Sequence, residues 1–265
     1  MMTIGCQIGT IRGTIEEAGE LLKSQGIAGL EVFTSHLEPY YGKEDEMKAL
    51  LKRLDIRISG AYFSHNGLVL SEEKENALEA GRRAIDFLTD IEADFLVVTG
   101  GINCSDKPEG FVETDFMQLG EVLNCLGNYA QDKGIEVVLH PHMGQTIVTL
   151  DDLEKLLLHM DTTKAGLCLH AGHQLMANDD PYEMYEQYGN LVRYLHIGDS
   201  GKDLKGELKG QLLGEGVLDQ DRLMKPILDA GYKGWLIIEC RKEGTAPADY
   251  IRHACDYIRA RGWAE

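Results

Sequence analysis

No stretch of this sequence approaches the ~20 consecutive apolar residues that a membrane span requires. The opening MMTIGCQIGTIRG has no basic region leading into a long apolar run, so neither a leader nor an anchor is expected and the cytoplasm is the expected compartment. Basic residues are scarce: 26 Lys and Arg stand against 44 Asp and Glu, a formal net charge of −18. Such a surface repels nucleic-acid backbones and anionic membranes, which argues against both as partners. Paired cysteines are absent too. Cys6, Cys104, Cys125, Cys168, Cys240 and Cys255 show neither a zinc-ribbon spacing nor a dense disulfide pattern, so free thiols are expected, packed or exposed. Neither GxGxxG nor GxxxxGK[ST] occurs, and the glycines at 100 and 101 make no phosphate-binding fingerprint, so nucleotide binding is not signalled.

What remains is an ordinary globular composition, 43% hydrophobic and 26% charged over 265 residues, with no linker or low-complexity tail. Short β-rich runs alternate eight times with longer amphipathic segments, the pattern of βαβ repetition. At this length, eight units predict one closed (β/α)₈ barrel spanning residues 1–265 as a single domain. Strands are expected at 3–8, 29–33, 57–62, 95–99, 136–140, 166–170, 192–197 and 235–239. Helices are expected at 14–25, 44–54, 72–89, 113–133, 150–159, 181–188, 221–230 and 247–261. Thr14 with Glu17 has capping-box spacing, Gly26 ends that helix, and Gly134 and Gly231 stand where C-terminal glycine caps belong. The polar stretch from Asp199 to Gly216 reads as the longest loop, on the face where barrel loops carry function.

The most telling feature lies in the second half. Four consecutive strand-like runs each end on a potential ligand: GIEVVLH at His140, KAGLCLH at His170, NLVRYLH at His196 and GWLIIE at Glu239. In a parallel barrel these tips converge on the C-terminal face, where three imidazoles and a carboxylate suit one divalent transition ion. Glu239 follows a run of mostly apolar residues, so its charge needs a partner. A metal supplies one; an ion pair with Arg241 is the structural alternative. His142, two residues past His140, and His173, in HAGH after Gly172, fit proton transfer or substrate contact, Glu239 a catalytic as well as a ligating role. Asp199, three residues past His196, fits orienting a histidine, touching substrate or helping to hold a metal. Arg241 fits gripping a substrate oxygen, and His65 beyond GAYF fits a substrate contact. Glu31, His36 and Asn103 follow other strand-like runs but read as ordinary polar residues of a barrel mouth. Lys202, Lys205 and Lys209 offer charge for a phosphate, although charged loop runs are usually just solvated.

The tips HPHMGQT, LHAGHQ, LHIGDS and IIECR, in that order and spacing, resemble the xylose-isomerase-like superfamily of sugar isomerases and epimerases, and HPHMG is most similar to its inosose dehydratase type. The resemblance covers nearly the whole chain. It implies a TIM barrel, one divalent ion with manganese expected first and iron, cobalt or zinc as alternatives, and a keto sugar or keto cyclitol as substrate. Family members carry Glu at the fifth tip and Asp at the sixth; here these are His140 and His170. Epimerases of the superfamily use carboxylates on the fifth and eighth tips as opposed bases, so the loss of one favours dehydratase or lyase chemistry through an enediolate, with aldose–ketose isomerisation or epimerisation as the alternative. A DNA-repair endonuclease branch of the superfamily is disfavoured by the charge. A non-catalytic sugar-binding barrel is the remaining reading. Barrels of this size often form homo-oligomers, but no sequence feature specifies one.

Overall fold

The computed structural model describes residues 1–107, 109–202, 206, 208–239 and 241–265. Eight parallel strands close into a barrel in the spatial order β1-β10-β7-β6-β5-β4-β3-β2. They are β1 (Thr3–Gln7), β2 (Gly29–Phe33), β3 (Arg57–Phe63), β4 (Phe95–Val98), β5 (Glu136–Leu139), β6 (Ala165–Leu169), β7 (Val192–Ile197) and β10 (Trp235–Ile238). Each coincides with an expected strand to within one residue at either end. Between β7 and β10, the stretch read as a long loop contains an antiparallel hairpin, β8 (Asp199–Lys202) with β9 (Leu208–Gln211). Its alternation of glycines and charged residues carries no apolar period, and strands held by backbone pairing alone leave no such signal.

The main outer helices are α2 (Ile15–Ser24), α4 (Glu44–Leu54), α5 (Lys74–Asp90), α6 (Glu113–Ala130), α7 (Leu150–Leu157), α9 (Glu183–Tyr188), α10 (Gln220–Asp229) and α11 (Pro247–Ala260). Thr14 and Glu17 form the expected reciprocal cap: Glu17 N–H donates to Thr14 Oγ1 at 3.2 Å and Thr14 N–H to Glu17 Oε2 at 2.8 Å. In α4, Glu44, Asp45 and Glu46 open the helix and Lys52 and Arg53 close it, complementing the helix dipole at both ends. Gly26, Gly134 and Gly231 take φ of 68°, 75° and 76°, the left-handed conformation that lets a helix end sharply. Three further helices are one turn or little more: α1 (Ile8–Ile11), α3 (Thr34–Leu37) and α8 (Ala171–Met176).

Inside the barrel, Tyr62, Phe95, Val97, Val138, Cys168, Tyr194, Trp235 and Ile237 form a separate apolar plug. The Trp235 ring fills space that a side chain at Gly29 would obstruct, since a Cβ there would lie 2.3 Å from it. Side chains alternate along a strand, so the residue two past each inward one also points inward. Two past Val138, Cys168, Tyr194 and Ile237 are His140, His170, His196 and Glu239; two past Gly29 is Glu31. The plug therefore fixes which residues form the next layer towards the C-terminal mouth.

Candidate metal and substrate site

His140, His170 and Glu239 lie one residue beyond their strands, and His196 is the last but one residue of β7. Backbone pairing continues through the tips: His140 N–H donates to Val98 O at 2.7 Å and Glu239 N–H to Ile197 O at 3.0 Å. The tips are thus as well fixed as the strands. His173 arrives differently, from α8, whose first turn is closed by a hydrogen bond from His173 N–H to His170 O at 3.1 Å. That turn lifts His173 back over His170, with ring centroids 4.6 Å apart.

The result is a tight group. His140, His170, His173 and Glu239 each offer one donor atom, and these atoms all lie within 4.8 Å of one another. Glu239 Oε2 is 3.5 Å from His140 Nε2 and 3.3 Å from His170 Nδ1, yet neither pair has hydrogen-bond geometry. Among the described residues, both ring nitrogens of His140, His170 and His173 are buried without a hydrogen-bond partner. Six orphaned nitrogens in one buried cluster are costly for a structural role. They fit a divalent transition ion, whose coordination satisfies lone pairs that no protein donor reaches.

His196, expected as a ligand, is held otherwise. Its Nδ1 lies 2.6 Å from Glu239 Oε2 and its Nε2 2.7 Å from Glu31 Oε2, so both nitrogens face carboxylates. Burial opposes its protonation, but the carboxylates of Glu31 and Glu239 on its two nitrogens outweigh that and hold its pKa well above the ordinary value. Burial would likewise raise the pKa of Glu239, but His196 and the rings of His140 and His170 hold it well below the usual carboxylate range. Burial raises that of Glu31, with His196 working against the rise. Gln7, two past Gly5, donates from Nε2 to Glu239 Oε1 at 3.0 Å. A second group of potential ligand atoms joins His140 and His196 to Cys168; burial pushes the Cys168 thiol up to about 11, which keeps it protonated near neutrality.

His142 stands at the rim, with its ring centroid 4.0 Å from that of His173. Its Nδ1 is 2.8 Å from Met143 O; a carbonyl only accepts, so Nδ1 carries the proton and Nε2 keeps a lone pair. Burial lowers its pKa, which favours that neutral form. Above the cluster opens a pocket of about 240 Å³ lined by Gln7, Gly9, Thr10, Phe33, Tyr62, His142, Glu239 and Arg241. Arg241 therefore shares the mouth with Glu239. Phe33 meets Tyr62 edge-on, with centroids 5.4 Å apart, making an aromatic wall.

Two expected substrate contacts are placed elsewhere. The Asp199 carboxylate accepts from Ser200 N–H and Leu218 N–H through Oδ1, and from Gly214 N–H and Gly216 N–H through Oδ2. It anchors the backbone behind the β8–β9 hairpin, because a buried carboxylate takes the amide donors that a folded loop offers. His65 lies in the loop after β3, where its Nδ1 accepts from Gly67 N–H at 2.9 Å and its ring stacks on Phe63. His36 stacks on Phe33, while exposed Asn103 bonds to Asp106. Cys104 is exposed and donates to Gln145 O. Lys205 and Cys240 lie outside the described residues. Glu31 and Gln7 are the residues that sequence reading passed over; inward period-two position was the signal available for both.

The neutral histidines have a consequence for stability. Burial lowers the pKa of His140 to about 3 and that of His173 well below its ordinary value. Between pH 6.5 and about 3 the unfolded chain therefore binds protons that the folded chain excludes, and stability falls as pH falls. His196, with its pKa raised, is protonated in both states below 6.5, so its contribution is constant in this window. Chelator-treated protein is expected to melt progressively lower from pH 7 to pH 5, and His140→Gln to flatten that slope. Melting temperatures measured across the range, equal slopes being the contrary result, check this.

A family model described as xylose isomerase-like TIM barrel matches residues 20–261. An inosose dehydratase from Geobacillus thermodenitrificans is 26% identical, with 93% of this chain and 89% of that protein aligned. One from Clostridium beijerinckii is 27% identical, with 94% and 90% aligned. Among solved structures, the IOLI protein with a binding zinc atom superposes with a TM-score of 0.79 at 16% identity, covering 97% of each chain. The 3-keto-D-glucoside 4-epimerase YcjR of E. coli gives 0.77 at 21% identity, covering 98% of this chain and all of that one. These two share the fold. With a closed barrel of eight parallel strands, a cluster of histidines and a carboxylate at its C-terminal mouth and a family model matched from residue 20 to residue 261, the chain belongs to the xylose isomerase-like TIM barrel family.

Proposed function

We propose that this chain is a divalent-metal-dependent enzyme that acts on a keto sugar or keto cyclitol through an enediolate, with elimination of water or an alcohol as its outcome. Its type, dehydratase or isomerase/epimerase, follows from the inosose dehydratases it aligns with and from its family. The observation that carries the metal is the cluster of His140, His170, His173 and Glu239 with its unsatisfied buried nitrogens. Manganese, iron, cobalt and zinc suit such a nitrogen-rich set better than magnesium or calcium, which prefer oxygen. A structural neighbour's bound zinc agrees with this. Bound there, the ion would supply Lewis acidity and positive charge against a developing enediolate.

The chain's own residues supply the rest. Phe33 and Tyr62 offer an apolar face for the C–H side of a sugar ring. Gln7 and His196 hold Glu239 from two sides, so the ligand does not turn towards substrate. Arg241 offers donors for a substrate oxygen. His142 Nε2, neutral and at the rim, takes the proton from the carbon beside the carbonyl. The electron pair left on that carbon becomes the enediolate; its return to form the double bond expels the β-oxygen, which leaves as water after taking the proton back from His142. Re-protonation of carbon instead would give an isomer. Epimerisation with two opposed carboxylates is less well supported, because the fifth strand ends on His140.

The test is incubation of manganese-, cobalt- or zinc-loaded protein with 2-keto-myo-inositol and a panel of neutral, acidic and phosphorylated keto sugars. Metal-dependent loss of substrate and growth of a conjugated ultraviolet-absorbing product would support elimination. Isomer formation without that product would move the alternative to first place, and no turnover with any loaded metal would overturn the reading.

A further inference from the structure

In a chain with net charge −18, cations gathered in one concavity run against composition. Beside the mouth lies a cleft of about 530 Å³ formed by the β1 loop (Thr10 to Arg12), the hairpin strand β9 (Lys209 and Gly210) and the segment after β10 (Arg241 to Thr245 and Pro247). Among the described residues Arg12, Lys209, Arg241 and Lys242 line it, with Glu243 as the lining carboxylate. Lys242 also pairs with Glu215 at 3.1 Å. Three separate chain segments thus bring positive charge to one cavity. At its edge Pro247 begins the 14-residue α11, whose N-cap, Ala246, makes no side-chain hydrogen bond, so the positive end of the helix dipole adds to the field.

The cleft adjoins the pocket at the barrel mouth. Thr10 and Arg241 line both it and the pocket over Glu239 and His142. A ligand whose carbonyl end sits above the metal cluster therefore extends its remote end between Arg12 and Lys209. Arg12 takes a left-handed φ of 59°, and its N–H donates to Ile8 O at 2.8 Å, which fixes the backbone of this basic residue at the rim.

We propose that this cleft is an anion subsite, taking a phosphate or carboxylate group carried on the end of the substrate remote from the reacting carbon. It rests on the reading of the mouth as the reacting end, and it narrows the substrate to an acidic or phosphorylated keto sugar or cyclitol. Guanidinium and ammonium groups that face one cavity recognise either anion by charge-assisted hydrogen bonds.

Calorimetric titration of the full chain with inorganic phosphate, and separately with malonate, tests it. Wild type is expected to bind at least one of the two saturably, with salt-sensitive affinity. The double variant Arg12→Ala, Lys209→Ala, both on exposed side chains, is expected to bind about tenfold more weakly, as loss of charge-assisted contacts implies. Preference for phosphate or for malonate distinguishes the two sources. His140→Ala, which removes a ligand of the metal cluster, should leave anion binding unchanged; this separates failure of the subsite from failure of the metal reading. Absent saturable binding, equal binding by the double variant, or binding abolished by His140→Ala alone would overturn the proposal.

Discussion

Glu239→Ala is expected to strip the protein of metal, from near one equivalent to less than a tenth, and to lower turnover of any substrate found by about 10³-fold or more, the scale at which a principal electrostatic group contributes. The reason is geometric. Glu239 Oε2 lies 2.6, 3.3 and 3.5 Å from rings of His196, His170 and His140 respectively, so three imidazoles share this one carboxylate oxygen. Without it the cluster offers neutral nitrogens around a buried divalent charge, and His196 keeps Glu31 as its counter-charge. Glu239→Gln retains shape and a carbonyl donor but loses the charge, and is expected to fall between wild type and Ala in metal content. Elemental analysis of the three proteins, purified side by side, checks the series. A Glu239→Ala protein that retains metal at the wild-type level would remove the cluster from the mechanism. Because the apolar plug and outer core do not depend on Glu239, circular dichroism should show the barrel intact in both variants.

The fold was legible because its signals are local and repeated: eight β-rich runs, capping residues such as Thr14, and glycines such as Gly134 after helices. The convergence of the tips His140, His170 and Glu239 was legible for the same reason, each standing at the end of an apolar run. His173 was read as a proton carrier rather than as a member of the ligand group because its position depends on α8, a helix of six residues too short to leave a hydrophobic period. His196 is the opposite case. Its sequence context matches that of the other tips, and only the approach of Glu31 from β2, far away in the chain, occupies its second nitrogen. Asp199 illustrates a third case: the backbone amides it binds at 214, 216 and 218 carry no residue signature, since any amino acid supplies them.

Glu31 is the residue whose removal should cost the fold most for a site-facing group. It is fully buried in β2, and its Oε2 meets His196 Nε2 at 2.7 Å, while His196 Nδ1 meets Glu239 Oε2 at 2.6 Å. The three form a line in which the imidazole donates at both ends, so Glu31 decides which protons His196 carries and how it presents Glu239 to the ligand cluster. Glu31→Leu leaves a buried, charged ring facing a side chain that accepts nothing; breaking a buried pair in this way costs about 3–5 kcal/mol. Metal affinity should also fall by roughly 10–100-fold, as when the group that orients a metal ligand is lost. Glu31→Gln keeps an acceptor oxygen at the same reach and should recover part of both losses. That partial recovery separates a positioning role from simple packing, for which Leu would be the better tolerated of the two. Denaturant unfolding and competitive metal titration on both variants check it. If Glu31→Leu proved as stable as wild type and bound metal as tightly, His196 would hold Glu239 without help from β2.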